Sequence, residues 1–124
     1  MIFSSFDHRR GILHTKFRGV VKLSEFLEDI KQVGQNNDLP RNLKILTDAT
    51  KAKFEFDDDD IPIILYLKDY YAKNFTSIRE AFVQNDPYVT ALSMIYQYDA
   101  SQLENFQYKI FSSCDAACIW LHSC

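Results

Sequence analysis

Strand-like and helix-like patterns follow one another along this chain in an order that few folds accommodate. The first two are strands, Met1–Asp7 and Ile12–Val21, and Gly11 between them supplies the positive φ that a tight reversal needs. The second strand alternates in polarity, with Leu13, Thr15 and Phe17 on one side and His14, Lys16 and Arg18 on the other. Because successive strand side chains point to opposite faces, we predict an opening antiparallel hairpin with one buried face and one wet face.

Beyond the hairpin, each further strand is reached through a helix. Helix patterns begin near Ser24, Asp60, Asp86 and Ser113, and strand patterns cover Leu43–Thr47, Ile78–Gln84 and Phe106–Phe111. The order β-β-α-β-α-β-α-β-α predicts a single α/β domain spanning residues 1–124. We expect a mixed sheet of about five strands, whose later strands are parallel because helical crossovers connect them. The helices, about four in number, should pack mainly on one face of the sheet.

Four consecutive aspartates, Asp57–Asp60, separate an expected acidic loop after Asp48 from an apolar helix. The last two aspartates are suitable helix caps, and Pro62 fits the first turn of the helix. A divalent-cation site is the alternative, but an EF-hand-like loop needs alternating ligands, a glycine and a distal glutamate. Helix capping together with solvated charge is therefore the favoured interpretation, and no metal site is predicted.

Composition excludes several classes of function. The net charge is −3 and no basic block is present, which argues against nucleic-acid binding. Only three glycines occur and none forms a phosphate-binding loop, so no nucleotide cofactor is predicted.

The N-terminal residues lack a secretory signal pattern, and no apolar run reaches the length of a membrane span, so we expect a cytoplasmic protein without an integral membrane segment. Aromatic residues make up 15% of the chain, which predicts an aromatic core, a pocket or an interface.

The three cysteines, Cys114, Cys118 and Cys124, all lie close to the C-terminus. Cys114, Cys118 and His122 have the spacing of one helical face, but a closed zinc site needs four ligands and usually joins two chain segments. Cys114 would start a helix, a position that lowers a thiol pKa, yet no general base can be placed beside it. We therefore predict reduced thiols, with neither a catalytic residue nor a metal centre.

Several segments together carry a family resemblance: the hairpin through Gly11, Leu43–Asp48, Asp86–Pro87, Tyr108–Ser112 and Ala116–Leu121. Their order and spacing resemble the SpoIIAA-like branch of the STAS fold, which includes bacterial anti-sigma factor antagonists and the cytoplasmic tails of sulfate transporters. In regulatory STAS domains, a kinase partner phosphorylates a serine of an Asp-Ser-Ser-Gly motif before the second helix. By position that motif falls on Asp57–Asp60, where this chain has neither serine nor glycine, so the switch residue is not carried over.

The resemblance implies a non-catalytic regulatory or binding domain that acts through protein–protein contacts. Its candidate partner-binding residues are Asp48, Asp57, Asp58, Asp59 and Asp60. A second expectation is a carrier of a lipid or another apolar small molecule, motivated by the aromatic content and by the broad apolar stripe of Ile61–Phe75. A third is an uncharacterised enzyme, which no motif supports. A homodimer is a further expectation, because exposed sheet edges pair and two-fold dimers are common.

Overall fold

A five-stranded sheet lies at the centre of the protein. In the computed structural model, which describes all residues from Met1 to Cys124, the strands are β1 (Ile2–Asp7), β2 (Ile12–Val21), β3 (Asn42–Phe54), β4 (Ser77–Val83) and β5 (Phe106–Phe111). They lie in the order β1-β2-β3-β4-β5, with β1 antiparallel to β2 and every later pair parallel. The predicted mixed sheet with an antiparallel opening hairpin is confirmed.

Four α-helices connect and cover the strands: α1 (Leu23–Gly34), α2 (Ile61–Ala72), α3 (Pro87–Ala100) and α4 (Cys114–Leu121). A short 3₁₀ helix, Asp58–Asp60, leads directly into α2. The first three α-helices lie on one face of the sheet and α4 lies on the other, so the expected placement mainly on one face holds. None of these helices is both long and apolar enough to cross a membrane.

The alternation along β2 decides which of its side chains reach the main core. Leu13 and Phe17 face the three helices, as do Ile45 and Phe106 from other strands. Aromatic rings meet edge to face on this side of the sheet, and the ring centroids of Phe17 and Phe26 are 5.4 Å apart. Much of the aromatic content seen in the sequence therefore lies between the sheet and α1, α2 and α3.

Gly34 ends α1 where that helix passes α2. A Cβ atom at this position would lie 2.3 Å from the Cβ atom of Tyr71, which is far inside the optimal separation of two carbon atoms. A glycine after a helical pattern is a common helix stop. In the structure it also permits the close approach of the two helices.

α4 covers the opposite face of the sheet through a smaller core. This core consists of Ile12, Leu46, Ala81, Val83, Ala117 and Leu121. The face of the hairpin that was predicted to be solvent-exposed is therefore exposed only in part. Ile12 is fully buried beneath α4, whereas Lys16 and Arg18 are exposed.

The apolar run predicted that β3 would end at Thr47. In the structure the strand continues to Phe54. The long strand β2 supplies backbone partners for this extension, and Val21 lies opposite Phe54. The register shifts between Lys16 and Arg18, where β3 carries one additional residue. The predicted loop after Asp48 is therefore mostly strand, and only residues 55–57 separate β3 from the 3₁₀ helix.

The prediction of three reduced thiols was wrong for two of them, because Cys118 and Cys124 form a disulfide. α4 ends at Leu121, and the next residue, His122, has a left-handed φ of 58° that turns the chain back on itself. This turn places the two cysteine Cα atoms 5.4 Å apart, within the range that disulfides span. Cys114 remains a free thiol.

Candidate ligand-binding site

A buried ion pair lies in the main core, between the sheet and its three covering helices. The Nζ atom of Lys68 on α2 is 2.5 Å from Oε1 of Glu80 on β4, and the two side chains are only 11% and 7% exposed. The other carboxylate oxygen of Glu80 accepts a hydrogen bond of 3.0 Å from the hydroxyl of Thr47 on β3. Both oxygens of the glutamate thus have a partner, one of them charged.

Aromatic rings surround the Lys68 ammonium. Its Nζ atom lies 5.8 Å from the ring centroid of Phe26, 5.6 Å from that of Tyr96 and 5.3 Å from that of Phe106. Each distance falls within the range of a cation–π contact. The rings therefore replace part of the water that burial removes from the ammonium.

Two clefts meet at this ion pair, and Phe26, Lys68 and Glu80 line both of them. The first cleft, of about 540 Å³ including its open mouth, lies between the sheet, α1 and α2. The second, of about 530 Å³ measured in the same way, lies beneath α2 and α3. Both are lined mainly by apolar side chains. Apolar walls with a few converging polar groups are the lining that small-molecule sites have.

Asp29 on α1 contributes a second carboxylate to the first cleft. Burial raises the pKa of this carboxyl from 3.8 to about 6; the nearby Lys68 ammonium opposes the rise and the Glu80 carboxylate adds to it. Asp29 belongs to none of the protein's three ion pairs. It is therefore an acidic group in an apolar setting that lacks a cation of its own.

Tyr96 contributes a hydroxyl to the second cleft. The residue is 7% exposed, and its Oη atom is buried without a hydrogen-bond partner in the protein. Burial, with a smaller effect of Glu80, raises the pKa of Tyr96 well above its usual value, so this hydroxyl stays protonated. Buried polar atoms almost always have a hydrogen-bond partner. The Tyr96 hydroxyl could therefore form a hydrogen bond with a polar atom of a ligand.

Among solved structures, the chain is similar to an uncharacterised protein of the DUF3478 family from Shewanella loihica PV-4, described as having a SpoIIAA-like fold. The two superpose with a TM-score of 0.62 over 98% of this chain and 92% of the other, at 16% sequence identity. The fold of this protein is SpoIIAA-like. No protein-family model matches the sequence, and no curated protein matches it. The SpoIIAA-like architecture expected from the sequence is thus confirmed at the level of the fold.

In this SpoIIAA-like domain the aspartate run caps the 3₁₀ helix Asp58–Asp60, which leads into α2, and the capping residue is Asp57. The last two aspartates were expected to cap α2, but Asp60 makes no side-chain capping hydrogen bond to that helix. The Asp57 side chain accepts a hydrogen bond from the Asp59 N–H at 3.0 Å, and the Asp57 N–H donates to Asp60 Oδ2 at 3.2 Å. This is a reciprocal capping box. The carboxylates of Asp57, Asp58 and Asp59 lie within 4.8 Å of one another and are exposed, and Asp57 also lines the second cleft.

Asp48 lies apart from the other predicted partner-binding residues. It follows Leu46 and Thr47 in β3, and the alternation of the strand directs it to the face that α4 covers. Its Oδ1 atom accepts hydrogen bonds from the Thr50 N–H at 3.0 Å and from the Thr50 hydroxyl at 2.7 Å. The structure therefore brings Asp57, Asp58, Asp59 and Asp60 together but leaves Asp48 on the other side of the sheet.

Cys114, the nucleophile considered from the sequence, lies at the start of α4. Burial raises the pKa of its thiol, and the nearby carboxylates of Asp48 and Asp115 raise it further. A catalytic thiolate needs the opposite shift. Cys118 is held in the disulfide, so the Cys114, Cys118 and His122 set also lacks a second free thiolate.

Sequence reasoning missed Asp29, Lys68, Glu80 and Tyr96 as site residues. A signal was present, because the charged residues occupy apolar positions of otherwise regular patterns. Glu80 lies between Ile78 and Phe82 on the inner face of β4, where the two neighbouring positions are apolar. Charged side chains are rarely buried unless they are paired, so an acidic residue in such a position indicates a specific partner.

Proposed function

We propose that this protein is a non-catalytic domain that binds an apolar small molecule in the clefts beneath α1, α2 and α3. The observation that carries the proposal is the position of the Lys68–Glu80 pair, which forms part of the wall of both clefts. The apolar walls would hold the body of the ligand, and the ion pair and its neighbours would fix its polar end. This is the carrier function that was the second expectation from the sequence.

The energetics of burial support a ligand role for the ion pair. Removing two charges from water costs several kcal/mol per ion, and well-packed apolar residues in place of a buried pair often give an equally stable protein. Lys68 and Glu80 are therefore poor candidates for simple stabilisers of the fold. Titratable groups that converge in a cleft, with shifted pKa values nearby, are typical of functional sites.

A regulatory role through the acidic run is the second candidate. Its supporting observation is that Asp57 lines the second cleft while Asp58 and Asp59 are exposed beside it. A protein that contacted these carboxylates would therefore touch the rim of the proposed ligand site. The capping box gives Asp57 and Asp60 a sufficient structural role, which is why this candidate comes second.

Binding of N-phenyl-1-naphthylamine, an uncharged apolar fluorophore, tests the proposed site. Val33 lines the first cleft and Val89 the second. We expect Val33→Trp or Val89→Trp to abolish the fluorescence enhancement by filling the cleft that holds the probe. Ile95→Trp is the matched control, because Ile95 is 47% exposed on α3. Probe binding that survives in both cleft variants, or no probe binding by the wild type, would contradict the proposal.

A further inference from the structure

We infer that the ligand ends in a cationic amine and that the carboxylate of Asp29 binds this amine. The inference rests on the proposed function and specifies its ligand class: an apolar molecule with one ammonium group, as opposed to a fatty acid. It follows from the charges that line the clefts, from the ion pairs that those charges make and from the aromatic walls.

The clefts contain more carboxylates than ammonium groups. The charged side chains that line them are Asp29, Asp57, Glu80 and Lys68. Lys68 is the single cation among them, and it is already paired with Glu80. In the first cleft, Asp29 therefore remains as a negative charge with no cationic partner.

A ligand ammonium would balance this site. With Asp29 and Glu80 ionised, Lys68 and the ligand together bring the first cleft to two positive and two negative charges. A ligand carboxylate would instead place a third negative group beside a lysine that already has a partner. Burial of an uncompensated charge is strongly unfavourable, so the arrangement selects against fatty acids.

The aromatic rings of the clefts also favour a positively charged ligand. Ring faces attract cations and do not attract anions, and the rings around Lys68 already accommodate one ammonium at 5.3 to 5.8 Å from their centroids. Further rings, those of Phe17, Tyr71 and Phe75, line the first cleft. A second ammonium near Asp29 would thus meet aromatic walls in addition to a carboxylate.

The buried Tyr96 hydroxyl is an independent indication that a polar ligand atom reaches this region. Tyr96 lines the second cleft, as Lys68 and Glu80 also do. A hydroxyl both donates and accepts hydrogen bonds, so it suits an amine as well as an uncharged polar group. Tyr96 therefore supports the presence of a ligand, and Asp29 determines its charge.

Displacement of N-phenyl-1-naphthylamine by n-octylamine, 1-octanol and octanoate tests the inference, since the three compounds share one chain length and differ in charge. At a pH near 7.5, where Asp29 is ionised, we expect octylamine to bind most tightly and octanoate most weakly. Asp29→Asn should weaken octylamine by about tenfold or more, as loss of a charge-assisted contact does, and leave octanol within about twofold. Glu28→Gln is the matched control, because it removes the same charge from the exposed side of α1.

The outcomes separate the two proposals. Tighter binding of octanoate than of octylamine, or an octylamine affinity that Asp29→Asn leaves unchanged, would overturn the amine assignment and leave the binding function intact. Equal displacement by all three compounds would overturn it as well. Absence of probe binding and of direct octylamine binding by calorimetry would overturn the proposed function itself.

Discussion

The ammonium of Lys68 and the carboxylate of Glu80 join the middle of α2 to the inner face of β4. α2 is followed directly by β4 along the chain, and the crossover folds the helix back so that Nζ and Oε1 come within 2.5 Å of each other. The pair is nearly excluded from solvent and is flanked by an apolar cleft on each side. The first predictions below follow from this pair or from the packing that encloses it, and the last concerns the C-terminal turn on the other face of the sheet.

Removing one member of the pair should destabilise the protein more than removing both. Lys68→Met leaves Glu80 as an unpaired buried carboxylate, and we expect the free energy of unfolding to fall by about 3 kcal/mol or more. Adding Glu80→Gln removes the charge and keeps an acceptor for Thr47, so the double variant should recover a large part of the loss. Urea unfolding of both single variants and the double variant measures this coupling. A double variant that is as unstable as the sum of its parts would contradict the role assigned to the pair.

Asp29 should make the protein less stable as the pH rises. Its pKa is 3.8 in the unfolded reference and about 6 in the folded protein, so folding favours the protonated form. The resulting penalty is absent below the unfolded pKa, develops as the pH rises between the two values, and is complete above the folded pKa. Burial is the largest cause of the raised pKa; Glu80 and Glu25 add to the rise, and Lys68 and the Ser4 hydroxyl oppose it.

Asp29→Asn removes this penalty. At a pH near 7.5 it should raise the free energy of unfolding by about 1 to 3 kcal/mol, and at a pH near 3.5 it should have little effect. Unfolding curves across this pH range measure the difference between the variant and the wild type. Glu28→Gln should change the stability by less than about 0.5 kcal/mol at either pH, as surface substitutions usually do. A stabilisation by Asp29→Asn that did not depend on pH would contradict the shifted pKa.

Gly34→Ala should destabilise the protein although alanine favours helices. Alanine in place of glycine gains about 1 kcal/mol of helix propensity. The added Cβ atom would lie 2.3 Å from Tyr71 Cβ, and forced displacement of packed elements costs about 1 to 3 kcal/mol, occasionally more. We expect a net loss in thermal unfolding. The loss that Gly34→Ala causes should be smaller in a Tyr71→Gly background, which lacks the clashing atoms. Gln32→Ala, on the exposed side of α1, is the control. A stabilised Gly34→Ala variant would show that α1 and α2 lie farther apart.

The Cys118–Cys124 disulfide should stabilise the C-terminal turn modestly. It closes a short loop with a sequence separation of 6, for which chain entropy predicts a contribution of about 2 kcal/mol. Cys124→Ser should therefore lower the melting temperature under oxidising conditions and make it insensitive to reductant. Cys114→Ser should retain the reductant sensitivity of the wild type, because Cys114 is a free thiol. Reductant sensitivity that persists in Cys124→Ser would contradict this pairing.

The order of elements was predictable because each depends on local patterns. The alternation from Leu13 to Arg18 defined the hairpin, and the Asp86-Pro87 start of α3 is present, with the Asp86 carboxylate accepting the Tyr88 N–H at 2.9 Å. The far end of β3 was missed because residues after Thr47 form a strand only by pairing with the second half of β2. The disulfide was missed because it depends on the left-handed turn at His122.

The candidate site was harder to predict because its members come from different elements. Asp29 is on α1, Lys68 on α2, Glu80 on β4 and Tyr96 on α3. Each lies within a mainly apolar stripe, where a pattern search treats one charged residue as an interruption. Only the crossover connection brings these positions to a common point. The aspartate run, in contrast, was conspicuous in the sequence because its members are consecutive, and the structure uses it as a helix cap.

Native mass spectrometry of the protein, gently purified from its own cells, tests the central claim most directly. The wild type should carry a bound small molecule, of the order of a few hundred daltons as small-molecule ligands are, and lose it on denaturation. A Val33→Trp/Val89→Trp double variant, prepared in parallel and shown to be folded by circular dichroism, should lack this mass. A wild type without any bound molecule, or an equal added mass on the double variant, would contradict ligand binding beneath α1, α2 and α3.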